Sequence, residues 1–221
     1  FSANRRRGLG AGESARGLLA DLRMLAALPT PAAFENFAPG ARSGDVLYQT
    51  RVWAPEPSTD DLEALNRERA ELVRELRAAF PDAFAGGIVA DAFSTAHFPG
   101  LVTRRSLHRA EYAAMSRRAA IGIYSRGLHH SLAFKLSEYL AGGLCVVSTP
   151  LAHELPAPLV PGRHYLEYRT PAECVAAVGW LRAHPEAADR MRRENVDYYR
   201  TNLAPAPFVV SLLERAFRAR G

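Results

Sequence analysis

The chain has 221 residues, 48% of them hydrophobic and 23% charged, proportions that support one or two domains with a packed core and exclude a disordered or collagen-like chain. No apolar run approaches the roughly 20 residues that span a bilayer. The two cysteines, Cys145 and Cys174, lie in apolar contexts that suit buried thiols in a reducing compartment better than a disulfide framework, so a cytoplasmic location is expected. The net charge of +5 comes from arginines interleaved with Asp and Glu, as over 62–77, a pattern read as a solvated, salt-bridged helix face and not as a nucleic-acid surface.

Residues 1–44 are rich in Gly, Pro and Ala, with a helical stretch over 14–28 that stops at Pro29, and are read as a linker and interdomain helix. The chain opens on Phe1, followed by Arg5, Arg6 and Arg7, as expected of the inside of a longer protein. Gly8, Gly10 and Gly12 resemble a nucleotide-binding glycine loop only superficially, since three arginines and no strand precede them.

From Asp45 the pattern alternates. Residues 46–50 predict a strand, 60–80 a helix entered through Ser-Thr-Asp-Asp, 86–90 a second strand, 104–118 a helix and 120–124 a third strand. A helix over 131–141 leads through Gly142 and Gly143 into a fourth strand at 144–148, and 165–168 is a short fifth. Thr170, Pro171 and Glu173 supply N-cap, N1 proline and N3 glutamate for the next helix, and His184-Pro185 turns into two more, the last over 207–218. Short apolar strands separated by helices imply an α/β fold: a Rossmann-like parallel sheet with helices on both faces, occupying 45–202 and followed by a C-terminal helical segment over 203–221.

Of the 28 Lys and Arg residues only one is lysine, Lys135. In a chain that otherwise uses arginine, an ammonium suggests a place that wants a compact point charge; the plain alternative is a residue on a solvated helix face. Lys135 and Glu138 are three apart and share a helix face. The preceding loop, Ser-Arg-Gly-Leu-His-His-Ser over 125–131, follows a strand and feeds that helix, where open parallel sheets bind ligands. A cation with a carboxylate one turn on suits a ligand with phosphate at one end and hydroxyls at the other, as in a nucleotide sugar. The alternative is an ordinary ion pair worth about 0.2–0.5 kcal/mol.

Residues 135–150 read Lys-Leu-Ser-Glu-Tyr-Leu-Ala-Gly-Gly-Leu-Cys-Val-Val-Ser-Thr-Pro, followed by His-Glu-Leu-Pro at 153–156, Gly-Arg-His-Tyr at 162–165 and Thr-Pro-Ala-Glu at 170–173. This succession resembles the donor-binding C-terminal half of group 1 glycosyltransferases of the GT-B fold, within them the spore-maturation-type glycosyltransferase-like proteins. The resemblance implies a glycosyltransferase domain that binds a nucleoside-diphosphate sugar and transfers the sugar to an acceptor hydroxyl without a metal or other cofactor. It assigns Glu138 to the donor ribose, Lys135 and Arg51 to the diphosphate, and the segment from Gly127 to Ser131 to the phosphate-proximal loop. The histidines at 129, 130 and 153 are read first as loop or surface residues, with His130 the one expected to touch the ligand. The resemblance also implies a further domain or partner chain that completes the cleft and carries the acceptor-side base, and toward which the C-terminal helix of 203–221 packs.

Two departures stand out. Retaining members carry a glutamate eight positions before the ribose-binding one, where this chain has His130, which leaves the stereochemical outcome open. The Arg and Lys pair that follows the first strand is reduced to Arg51. No Asp-x-Asp, phosphate-binding Gly-x-x-x-x-Gly-Lys or nucleophile-elbow motif occurs, and His129, His130 and His153 lack zinc spacing. Trp53, Trp180, Tyr198 and Tyr199 are read as core or interface aromatics. The alternatives are a non-catalytic nucleotide-binding or scaffolding module and a nucleotide-sugar epimerase.

Overall fold

The computed structural model describes residues 30–38, 44–55, 61–103, 109–153 and 155–218. Within them β1 (Val46–Thr50), β2 (Phe84–Ile88), β3 (Ile121–Tyr124), β4 (Cys145–Ser148) and β5 (Tyr165–Glu167) form one parallel sheet in the order β2-β1-β3-β4-β5. The helices are α1 (Leu62–Ala79), α2 (Ala92–His97), α3 (Arg109–Arg118), α4 (Lys135–Ala141), α5 (Pro171–Ala183), α6 (Pro185–Tyr198) and α7 (Pro205–Arg218). A π turn at Tyr199–Leu203 joins the last two.

The period-two alternation of each strand sorts its side chains onto two faces. Val46 and Tyr48 of β1, Ile121 and Ile123 of β3 and Cys145 and Val147 of β4 face α1 and α5, meeting Leu72, Val73, Leu76, Cys174 and Val178. Leu47, Tyr124 and Val146 face the other way, against Tyr112 of α3, Leu136, Tyr139 and Leu140 of α4, and Tyr198. Both faces are covered, so β3 and β4 are buried throughout and read as continuous apolar runs. Each large aliphatic side chain so buried contributes about 1.5–3 kcal/mol. Cys145 and Cys174 are both buried, and the Cys145 thiol donates to the Ala188 carbonyl at 3.3 Å.

Several boundaries move for local reasons. β2 begins two residues before the expected start because Phe84 and Ala85 already pair with Val46 and Leu47. The helix expected over 131–141 begins at Lys135: Leu128–His130 forms one 3₁₀ turn, and His129 and His130 take left-handed backbone at φ 52° and 57°, which a continuing helix forbids. Phe134 takes the N-cap position of α4. The sequence reading had no helix at Ala92–His97, where Asp91 accepts from the Ser94 N–H at 2.7 Å and the Ser94 hydroxyl accepts from the Asp91 N–H at 2.8 Å. α5 starts as expected, with the Thr170 hydroxyl accepting from the Glu173 N–H. α7 begins at Pro205 and exposes Val210, Leu213 and Phe217. The helical stretch over 14–28, the arginines at 5–7, the entry at 58–60 and the first turn of the helix expected from 104 lie outside the described residues. No described helix is long and apolar enough to cross a membrane.

Gly86 has φ +130°, and a β-carbon there would stand 2.1 Å from the carbonyl oxygen of its ladder partner Tyr48. Gly86→Ala is expected to cost at least about 1–3 kcal/mol of stability, the cost of holding a side chain in backbone that is essentially reserved for glycine, with the displaced Tyr48 carbonyl adding to it. Urea unfolding of the two proteins measures it, and equal midpoints would refute the close approach.

Candidate functional site

The sheet order places a topological switch between β1 and β3: the chain leaves β1 toward β2 on one side, while β3 and β4 lie on the other. At such a point the loops beyond the carboxyl ends of the two strands diverge and leave a crevice. A cleft of about 470 Å³ lies there. Gln49, Thr50, Arg51 and Trp53 wall it from β1, and Tyr124, Ser125 and Gly127 from β3. Lys135 and Glu138 of α4 line it as well.

Of the residues singled out in the sequence, Arg51, Gly127, Ser131, Lys135 and Glu138 all line this cleft. His130 is exposed on the adjoining turn and is not among the lining residues. His153 is likewise exposed outside the cleft, and Trp180 stacks on His184 at 4.5 Å on the surface.

The loop after β3 is built by short-range bonds. The Gly127 N–H donates to the Ser131 carbonyl at 3.0 Å, and the Ser131 N–H donates back to Leu128 at 2.9 Å. Only glycine fits at 127, because a β-carbon would lie 2.4 Å from the Ser131 hydroxyl. The Tyr124 hydroxyl accepts from the Ala133 N–H at 3.0 Å and steadies the approach to α4. Tyr48, rising from β1 on the opposite face, shares a 3.0 Å hydrogen bond with the Ser125 hydroxyl.

Lys135 is half-buried, and the sequence-level alternative of a solvated residue does not hold. Its Nζ donates to the Gln49 carbonyl and stands 5.2 Å from the centre of the Tyr112 ring. Burial pushes its pKa from the ordinary 10.5 down to about 8, against the pull of Glu138 and helped by Arg69 and Arg51. Glu138 moves the other way: burial raises its carboxyl, opposed by Lys135 and Arg109. For Lys135 the unfolded chain binds the extra proton between about pH 8 and 10.5, so stability rises with pH across that window, and the full cost of burying the charge is present below it. Lys135→Met should flatten that rise, as denaturant unfolding at several pH values will read; an unchanged slope would place the titration elsewhere.

Sequence reasoning missed Arg69 and Arg109. Arg69 is only 5% exposed and lies against the cleft. Its Nη1 donates to the Arg51 carbonyl at 2.8 Å and its Nη2 to the Arg126 carbonyl at 2.6 Å, and the guanidinium sits 4.6 Å from the centre of the Trp53 ring. The reading of 62–77 as a uniformly solvated charged face is thus corrected. The signal was in the spacing: Arg69 lies four residues after Leu65, three before Leu72 and four before Val73, which puts it on the buried stripe. Asn66 on the same stripe binds the Trp53 backbone twice, accepting its N–H at 3.1 Å and donating to its carbonyl at 2.7 Å. Arg126, inside the loop, is engaged elsewhere, with Asp61 and Glu68.

The cleft therefore gathers Arg51, Arg69, Arg109 and Lys135 around one carboxylate, Glu138. Such a surplus of fixed positive charge in a concave, partly desolvated site favours an anion, and Glu138 supplies an acceptor for hydroxyls. Among the described residues no group of three or more His, Cys, Asp or Glu side chains converges to hold a metal ion.

Comparison with known proteins agrees with this architecture. A family profile described as glycosyl transferase-like matches residues 67–203. The C-terminal domain of a glycosyl transferase group 1 family protein, LpcC, from Francisella tularensis superposes with a TM-score of 0.51 at 11% identity, covering 78% of this chain and 97% of that one. Sucrose-phosphate synthase from Thermosynechococcus elongatus gives a TM-score of 0.51 at 13% identity over 91% of this chain and 49% of its own, so the chain spans about half the length of that enzyme. At these identities the structural likeness is one of fold. No curated protein matches the sequence. Matched over more than half its length, and folded like the C-terminal domain of a group 1 glycosyltransferase, the chain belongs to the glycosyl transferase-like family.

Proposed function

We propose that this domain binds the nucleoside-diphosphate sugar donor of a glycosyltransferase, and that the sugar passes to an acceptor hydroxyl while the cleft stabilises the departing nucleoside diphosphate. The observation that carries the reading is the joint placement of Lys135 and Glu138 in the crevice between β1 and β3, beside Arg51 and the 127–131 loop. Lys135 and Arg51 meet the diphosphate, Gly127 and Ser131 shape the loop beside it, and Glu138 accepts from the ribose hydroxyls. His130, outside the cleft wall, is reached only by a ligand group that extends over the rim. Developing negative charge on the leaving group is met by these cations without a metal. The acceptor and the base that activates it belong to a further domain or partner chain, toward which α7 presents its exposed apolar side. The finer kinship we favour is with the spore-maturation-type glycosyltransferase-like proteins, on the run of residues 135–150.

The test is a thermal-shift panel of uridine, guanosine and adenosine diphosphates, each beside its nucleoside. One diphosphate should raise the melting temperature in a concentration-dependent way while its nucleoside raises it much less, since ligands that bind only the folded state stabilise it by mass action. No shift with any of them, or equal shifts for nucleoside and diphosphate, would sink the reading. Binding should also take up protons near pH 8, because an anion beside Lys135 restores its charge, and affinity should fall as pH rises past 8. Calorimetry in two buffers of different ionisation enthalpy measures the uptake; heats identical in both would separate Lys135 from the anion.

A further inference from the structure

We propose that Arg69 is the positioning residue of the donor cleft: its guanidinium clamps the loop after β1 to the loop after β3 and so sets the spacing between Arg51 and the 127–131 turn. The proposal rests on the reading of the cleft as a donor site and gives Arg69, so far only part of the cleft wall, a role in it.

Three observations converge. The two Nη atoms bind carbonyls from the two different loops, Arg51 on one side and Arg126 on the other, so one side chain spans the crevice floor. The planar fork is held flat by Trp53 at 4.6 Å, itself fixed by Asn66. The charge is buried with no carboxylate in ion-pair contact among the described residues, and its Nε is buried without an acceptor. Burial accordingly lowers its pKa, although an arginine stays protonated.

A buried cation with an unmet donor is costly, and holding a loop does not require one. Asn66, one turn earlier, grips the Trp53 backbone with a neutral amide. A charge at 69 gains its counter-ion only when an anion enters the cleft that Arg69 lines. Arg126 cannot serve, since Asp61 and Glu68 already neutralise it. The same side chain thus fixes the geometry of the empty cleft and adds to the potential that draws the diphosphate. Lysine at this position would keep the charge but lose the fork that reaches two carbonyls at once.

The experiment compares wild type, Arg69→Lys and Arg69→Ala for binding of the tightest of uridine, guanosine and adenosine diphosphate by calorimetry, with urea unfolding in parallel. Arg69→Lys should weaken binding at least tenfold while remaining folded, and Arg69→Ala further. Ethylguanidinium at millimolar concentration should recover part of the Arg69→Ala loss, a response that a purely structural defect would not give. If Arg69→Ala does not fold, Trp53→Leu replaces it: removing the ring face should weaken binding severalfold without touching the buried charge. Wild-type affinity retained in Arg69→Lys, or in Trp53→Leu when that variant is needed, overturns the role of Arg69 alone. Failure of wild type to bind any of the three diphosphates overturns the donor-site reading and this proposal with it.

Discussion

Glu138→Gln is expected to weaken nucleoside diphosphate binding by about tenfold or more, while inorganic pyrophosphate binds as well as before or slightly better. A hydrogen bond to a charged group contributes roughly 1.5–3 kcal/mol, which is about 10- to 150-fold in affinity. Glutamine keeps an acceptor oxygen but not the charge, so the loss should lie toward the lower end. The carboxylate faces Lys135 and Arg109 in a partly desolvated cleft that raises its pKa, so it acts on the ligand at short range and not as a screened surface charge. Pyrophosphate carries no ribose and is repelled by Glu138, which is why the two ligands should part company. Parallel titrations of both against wild type and variant decide it. Equal losses, or none, would make Glu138 a structural residue.

Lys135→Met should lower diphosphate affinity by a comparable factor with little change in melting temperature. The small stability effect comes from two opposing changes. Methionine removes a charge whose burial costs enough to depress its pKa to about 8, but leaves the Gln49 carbonyl without its donor. A net change within about 1 kcal/mol would move the midpoint by roughly 2–4 °C in a chain of this size. Affinity has no such compensation, because the ammonium is the compact charge of the cleft and its bond to phosphate is charge-assisted, worth about 1.5–3 kcal/mol. Lys135→Arg should recover only part of the loss, since the wider fork must fit between the Tyr112 ring and the end of β1. Diphosphate and nucleoside titrations of the three proteins test this. A Lys135→Met protein that binds diphosphate like wild type would remove the lysine from the site.

Much of the fold was legible where the signal is local. β4 announces itself as an apolar run after Gly142 and Gly143, and the start of α5 is written in Thr170, Pro171 and Glu173. The parallel sheet followed from the alternation of strands and helices. Its order did not, because which strands neighbour β1 is decided by crossovers between segments 30 or more residues apart. The late start of α4 was hidden because His129 and His130 adopt a backbone that their residue type disfavours and the surrounding loop imposes. The helix at Ala92–His97 is too short for periodicity to register, although Asp91 and Ser94 carried its capping box.

The site was legible to a similar degree. Lys135 and Glu138 are neighbours by helical spacing alone, so their common face could be read directly. That Arg51, 84 positions before Lys135, lines the same cleft depends on the placement of β1 beside β3, which single-sequence patterning does not contain. Arg69 was obscured by composition. Surrounded by Glu68, Arg67 and Glu71 it reads as one more surface charge, and only its coincidence with the apolar stripe of α1 marks it as buried.

On the proposed function, the crevice between β1 and β3 holds a nucleoside diphosphate in a fixed orientation. A crystal structure of the chain with the nucleoside diphosphate that binds it best tests this most directly. Diphosphate oxygens are expected within hydrogen-bond reach, about 2.7–3.2 Å, of Lys135 Nζ, with the ribose hydroxyls on the Glu138 carboxylate. A nucleotide seated outside this crevice, or one lying in it with its ribose at Lys135 and its phosphates at Glu138, would contradict it.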